Sequence, residues 1–136
     1  MKKIVKAVSR AEVPYPLEKV WNTVTDLEDF SWRSDLSKIE VKDETHFIEY
    51  TKKNFPTHFT ITEKKKMEKY TFSLKNKNIK GNWVGLFQEI PGGTRLLFTE
   101  EIEVSSLFMK ILAPSYLKKQ QKTYMNDLTK KLSNES

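Results

Sequence analysis

The sequence predicts an α+β fold: a seven-stranded antiparallel sheet, two short helices after its first strand, and a long C-terminal helix laid across one face. Three observations predict it. The amino-terminal stretch alternates with period two before Pro14 and Pro16. Five successive turn signals between Leu36 and Val104 bring large apolar side chains onto one common face. The last segment, Leu107 to Ser133, carries apolar residues at helical spacing over about 40 Å of helix.

In the first strand Val5, Ala7, Ser9, Ala11 and Val13 alternate with Lys6, Val8, Arg10 and Glu12, the mark of a strand with one face buried. Pro14 and Pro16 end it, and Pro16 suits the first turn of a helix. Leu17, Val20, Trp21 and Val24 then share a helical face. Asp26 and Asp29 mark a break, after which a second short helix is expected to hold Phe30 and Trp32.

Hairpins follow. Two-residue turns are the simplest connection, and directly opposed residues share a face. A turn at Asp43-Glu44 sets Ile39 against Ile48 and Val41 against His46. One at Lys53-Asn54 sets Ile48 against Phe59 and Tyr50 against Thr57. Lys65-Lys66 opposes Ile61 to Tyr70 and Phe59 to Phe72. Asn78-Ile79 opposes Leu74 to Trp83 and Tyr70 to Phe87. Gly92-Gly93 opposes Phe87 to Phe98, Gly85 to Glu100 and Trp83 to Ile102. After Ser105-Ser106 the closing helix begins, with Pro114 expected to kink or split it. Leu117, Gln121, Tyr124, Leu128 and Leu132 form its inward stripe, with Met125 beside it. A bent sheet around a long helix leaves space between them, the natural place for a ligand.

Composition narrows the function classes. A chain of 136 residues fits one domain, 1–136. The absence of cysteine excludes disulfides and thiolate metal sites. Aromatic residues make up 12%, too many for a disordered chain. No apolar run reaches the length of a membrane span, and Lys6, Arg10 and Glu12 interrupt any signal-type apolar segment, so a cytoplasmic location is expected. The net charge is +6, and the seven lysines of residues 64–80 against Glu68 alone match that excess. They fall in two clusters, Lys64–Lys66 and Lys77–Lys80, at opposite ends of one strand. That is a poor phosphate track, so no specific nucleic-acid partner is expected.

Several pieces recur in a familiar order: Pro16-Leu17-Glu18-Lys19-Val20-Trp21 at a helix start, Asp26-Leu27-Glu28-Asp29-Phe30 leading to Trp32, Gly81-Asn82-Trp83, the Gly92-Gly93-Thr94-Arg95 hairpin, and the closing helix. Together they resemble the SRPBCC superfamily, the START-like helix-grip domains, in its small polyketide cyclase/dehydrase-like branch. The resemblance covers nearly the whole chain. It implies a sheet curled around the C-terminal helix and an internal pocket for apolar or amphipathic small molecules. It implies no single activity, because one fold hosts many functions. Members are similar to lipid carriers, hormone receptors, aromatic-ring cyclases, ubiquinone-binding proteins and chaperone cofactors. It carries no catalytic residue over to this chain.

The residues themselves offer little chemistry. The register puts His46 on the inner face and His58 on the outer, so they do not meet at one metal. No HExxH spacing and no glycine-rich phosphate loop occurs. Neither metal nor cofactor is expected. Glu100 is the informative carboxyl: it falls on the inner face between Phe98 and Ile102, opposite Gly85, whose missing side chain leaves room over it. Its pKa should rise if the site is dry, as a general acid or base requires. The expectation is an inward, hydrogen-bonded carboxyl that holds a ligand or the closing helix. Tyr50, Tyr70, Trp83, Gln121 and Tyr124 bring polar tips to the buried face and, facing a pocket, would orient an apolar ligand. Phe59, Phe72, Phe87, Phe98 and Leu74 would form its wall. Trp21 reads as core. Trp32, followed by Arg33, either closes the pocket mouth or seals the layer between helix and sheet. The function expected is binding of a small hydrophobic or amphipathic ligand, lipid- or polyketide-like. The alternatives are a cofactor-independent cyclase or dehydratase using Glu100, and a protein or RNA interaction module using the basic surface.

Overall fold

The computed structural model describes residues 3–104 and 106–134, apart from the Phe108 side chain. Met1, Lys2 and Ser105, on which the reading of the amino terminus and of the last strand's boundary partly rests, lie outside the described residues. The elements run β1 (Lys3–Val13), α1 (Leu17–Thr25), β2 (Leu36–Val41), β3 (His46–Thr51), β4 (Pro56–Lys65), β5 (Lys69–Lys75), β6 (Ile79–Ile90), β7 (Gly93–Val104) and α2 (Leu107–Asn134). The strands form one antiparallel seven-stranded sheet in the order β1-β7-β6-β5-β4-β3-β2. Among the described residues no helix is long and apolar enough to cross a membrane.

One short helix, not two, follows β1. Residues 26–35 form turns and bends. The Asp26 carboxylate accepts the backbone N–H groups of Glu28 and Asp29, a local turn that competes with helix. Further on, the Arg33 N–H donates to the Phe30 carbonyl. Pro114, predicted to kink or split the last helix, lies inside an unbroken α2. Its missing N–H removes one rung at Lys110.

The hairpins explain which residues face inward. In β4–β7 the predicted pairs are displaced by two residues: Phe59 opposes Leu74, Phe72 opposes Trp83, Phe87 opposes Leu96, and Glu100 opposes Trp83. A displacement of two leaves every side chain on its face. The β6–β7 turn is Pro91-Gly92, with Gly92 at φ 81, a conformation that glycine adopts without strain. At β3 the displacement is one residue. Phe47 opposes Phe59 and Glu49 opposes Thr57, so β3 is turned over relative to the prediction. Phe47 and Glu49 point inward; His46, Ile48 and Tyr50 point outward.

The inner face packs on α1 and α2 in two clusters. One joins Val20, Trp21 and Val24 of α1 to Tyr70, Phe87, Leu96 and Phe98 of the sheet and to Leu128 and Leu132 of α2. Trp21 meets the Phe87 ring edge-on at 4.9 Å. The other joins Val5, Ala7, Phe47, Phe59, Leu74, Ile102 and Val104 to Ala113 and Leu117. The 26–35 segment is fastened to α2: Ser34 donates its N–H and hydroxyl to Asp127 at 2.8 and 2.7 Å, and Lys131 reaches Asp29 at 3.1 Å.

Candidate functional site

Between the inner face and α2 lies a cavity of about 730 Å³, within the usual range for small-molecule sites. Its wall is aromatic. Phe59, Phe72, Trp83 and Phe98 come from successive strands, Tyr124 from α2, and Trp32 from the segment after α1. Phe72 and Trp83 stack with centroids 4.8 Å apart, and Trp83 lies 4.8 Å from Phe98. Gly85 makes this possible, because a Cβ there would collide with the Trp83 ring. The room expected over Gly85 is therefore occupied by Trp83 itself. Exposed residues Asp29, Lys53, Asn54, Asn78 and Tyr116 also line the cavity. They place its opening between the 26–35 segment, the β3–β4 and β5–β6 turns, and the first half of α2.

The polar end is a charged cluster. Arg33 makes a two-pronged contact with Asp35, at 3.1 and 3.0 Å, and reaches Glu49 at 3.4 Å. Its side chain is only 11% exposed, and its guanidinium lies 4.8 Å over the Tyr124 ring. Burial works against the Arg33 charge, yet Glu49 and Asp35 outweigh it and raise its pKa. Burial raises the Glu49 carboxyl; Arg33 opposes that rise and Asp35 adds to it. Glu100 faces the same space. Its carboxyl is pushed up to about 7, first by burial and then by the Glu49 charge, with Arg33 pulling the other way.

Glu100 is inward as expected, but no hydrogen bond reaches its carboxyl among the described residues. The Gln121 amide, on the inward stripe of α2, donates to the Ala7 carbonyl at 3.2 Å. Tyr70 is 2% exposed, and its hydroxyl lacks a hydrogen-bond partner among the described residues. A buried phenol left so is uncommon and costly.

Of the residues singled out from sequence, Phe59, Tyr70, Phe72, Trp83, Phe98, Glu100, Gln121 and Tyr124 line the cavity. Two do not. Tyr50 lies on the outer face, its hydroxyl donating to Glu40 at 3.1 Å, because β3 is turned over. Phe87 is buried against Trp21, beyond the cavity. His46, expected inside, is exposed and meets Asp43 at 2.9 Å; His58 is outside, opposite Lys75. Sequence reasoning missed Asp35 and Glu49 and left Arg33 as a bystander of Trp32. The close Arg33–Asp35 spacing was the available signal. Glu49 had none, since its face depends on the β3 register.

The fold is the START-like helix-grip: an open antiparallel sheet with a short helix after the first strand and a long closing helix. Solved structures agree. A START superfamily protein from Mycobacterium smegmatis is similar over 96% of this chain and 99% of its own, with a TM-score of 0.85 at 10% identity. A conserved protein from Geobacillus kaustophilus matches over 96% of both chains, with a TM-score of 0.84 at 14% identity. A protein from Mesorhizobium loti matches over 97% of this chain and 99% of its own, with a TM-score of 0.81 at 14% identity. No family model and no curated protein matches the sequence. The likeness is one of fold.

Proposed function

We propose that this protein binds a small amphipathic molecule in the cavity between sheet and α2, and holds it without transforming it. The observation that carries this reading is the ring-lined cavity of about 730 Å³, with the Glu100 carboxyl facing it and reached by no hydrogen bond among the described residues. A ligand sets its polar end towards that carboxyl, while the rings take its apolar body. Lipid-like and polyketide-like molecules have this amphipathic character. A carboxyl near neutrality is suited to proton transfer, and that would favour the cyclase or dehydratase alternative. Among the described residues, however, Glu100 has no acid or base in hydrogen-bond contact, so we read it as a group that holds rather than reacts. The interaction-module alternative finds less support. The lysine clusters lie at opposite ends of β5, and Lys65, Lys69 and Lys80 are each paired with a glutamate.

The test is a titration with Nile red, a neutral apolar dye, read by dye emission and by quenching of tryptophan fluorescence. One-to-one saturable binding is expected, with Trp83 quenched. No binding at about 100 μM, a free energy of about 5.5 kcal/mol, would overturn the proposal.

A further inference from the structure

We infer that the ligand carries a cationic amine, with its ammonium on Glu100 and its apolar body among Phe72, Trp83 and Phe98. This rests on the binding reading above and narrows it to a chemical class.

The charges inside the cavity argue for it. Among the described residues of the polar end, one guanidinium stands against three carboxyls: Arg33 against Asp35, Glu49 and Glu100. Arg33 is already taken, by Asp35 and Glu49 at its edges and by Tyr124 over its face. It offers little to an incoming anion, which would meet surplus negative charge instead. The unmet needs are those that an ammonium satisfies. Glu100 is a carboxyl with no hydrogen bond among the described residues, and an ionised carboxylate only accepts. The two oxygens of that carboxylate can take two of the ammonium's three donors. The rings add to this. Trp83, Phe98 and Tyr124 form a continuous series, with centroids 4.8 and 5.9 Å apart, and aromatic faces attract cations.

The outside of the molecule opposes the inside. The chain as a whole carries +6, so non-specific attraction would favour an anion. A preference for an amine can therefore come only from the cavity.

The same geometry gives a pH dependence. The titratable and charged groups lining the cavity with Glu100 are Asp26, Asp29, Arg33 and Asp35 from the segment after α1, Glu49 from β3, Lys53 from the β3–β4 turn, Tyr70 from β5, and Tyr116 and Tyr124 from α2; β1 contributes Ser9 and β6 Trp83. Burial raises the pKa of Tyr70 and Tyr124, and Tyr116, although exposed at the opening, shifts the same way, so all three stay neutral. Glu100, pushed up to about 7 when the cavity is empty, must lose its proton to pair with an ammonium. Affinity for an amine should therefore rise as pH increases towards 8 and then level off.

The experiment compares dodecylamine, dodecanol and dodecanoate below their micelle concentrations, by calorimetry and tryptophan fluorescence, between pH 5.5 and 8.5. It uses the wild type, Glu100→Gln, and Glu101→Gln on the exposed outer face. Dodecylamine should bind at least ten-fold more tightly than dodecanoate at pH 8, with affinity rising about ten-fold from pH 5.5. Glu100→Gln should lose ten-fold or more for the amine, flatten its pH profile, and keep dodecanol binding, which also reports that the variant is folded. Glu101→Gln should behave as wild type. Dodecanol or dodecanoate binding as tightly as the amine, or an unchanged amine affinity in Glu100→Gln, overturns the amine inference and leaves the cavity reading standing. Failure of all three probes overturns both.

Discussion

Tyr70 carries an unmatched polar atom inside packed rings. Its ring is well used, edge-on to Trp21 at 6.2 Å and to Phe72 at 5.7 Å. The hydroxyl is the unexplained atom. Leaving a buried donor unmatched costs about 1–3 kcal/mol, whereas phenylalanine would keep the ring and remove the cost. Tyr70→Phe should therefore stabilise the empty protein by about 1 kcal/mol in urea denaturation. A variant destabilised by about 1 kcal/mol or more would show that the hydroxyl is matched within the chain. Arg33 is the contrasting case, a buried charge whose partners all come from this chain. Removing one partner of such a set is strongly destabilising, so its first role is to hold the 26–35 segment against β3.

Strand β3 shows what a pattern of residues can and cannot fix. Both of its connections are three-residue loops. Lys42 donates to the His46 carbonyl across Asp43-Glu44-Thr45, and Thr51 pairs with Phe55 across Lys52-Lys53-Asn54. Side chains complete both loops: the Asp43 carboxylate accepts the N–H groups of Thr45 and His46, and the Thr51 hydroxyl accepts those of Lys53 and Phe55. Asn54 takes a positive φ of 62, common in such loops. An odd loop where an even one is assumed turns the strand over. Because both ends of β3 carry one, the two slips cancel and Ile39 on β2 still faces inward. At β4–β5 a three-residue loop is offset by a bulge near Thr62, so the faces of β5, β6 and β7 were readable although their exact partners were not. On β3 itself Ile48 and Tyr50 look as apolar as Phe47, and alternation alone could not choose. That ambiguity cost Glu49, and with it the charged end of the cavity; the ring wall on β4–β7 was legible. The difference is measurable. Phe47→Ala should cost about 3–5 kcal/mol, because Phe47 stacks on Phe59 at 4.8 Å and is 2% exposed. Tyr50→Ala should cost less than about 1 kcal/mol. Equal losses in urea denaturation would return β3 to the predicted face.

Across the whole molecule, solid packing and the cavity fall at different places. Where α1, the last turns of α2 and the β6–β7 hairpin meet, the interior is solid: Val20, Leu96, Leu128 and Leu132 are 0% exposed. Lys19 closes this region by donating to the Leu132 carbonyl at 2.8 Å, a favourable place for a cation at a helix C-terminus. The cavity lies towards the β3–β4 and β5–β6 turns, where rings line space and the acidic groups accumulate. That accumulation should appear as a stability cost with a definite sign. Glu100 has a folded pKa of about 7 against an ordinary 4.5. Between those values the folded chain holds the proton more firmly than the unfolded chain does. Stability must therefore fall as pH rises through this window, with no penalty below about 4.5 and the full penalty above about 7. One pKa unit corresponds to 1.36 kcal/mol, so the full penalty is at most about 3 kcal/mol. Glu100→Gln removes the titration without changing the shape of the side chain. It should match the wild type in urea denaturation near pH 4.5 and exceed it by up to about 3 kcal/mol at pH 8. Glu49 stays in both proteins, but its charge helps to raise Glu100, so the comparison reads the two coupled carboxyls together. A difference between variant and wild type that is constant across pH would mean that Glu100 titrates alike in the folded and unfolded chains. The cavity would then exert no hold on its proton, and the preference for an amine would lose its pH dependence.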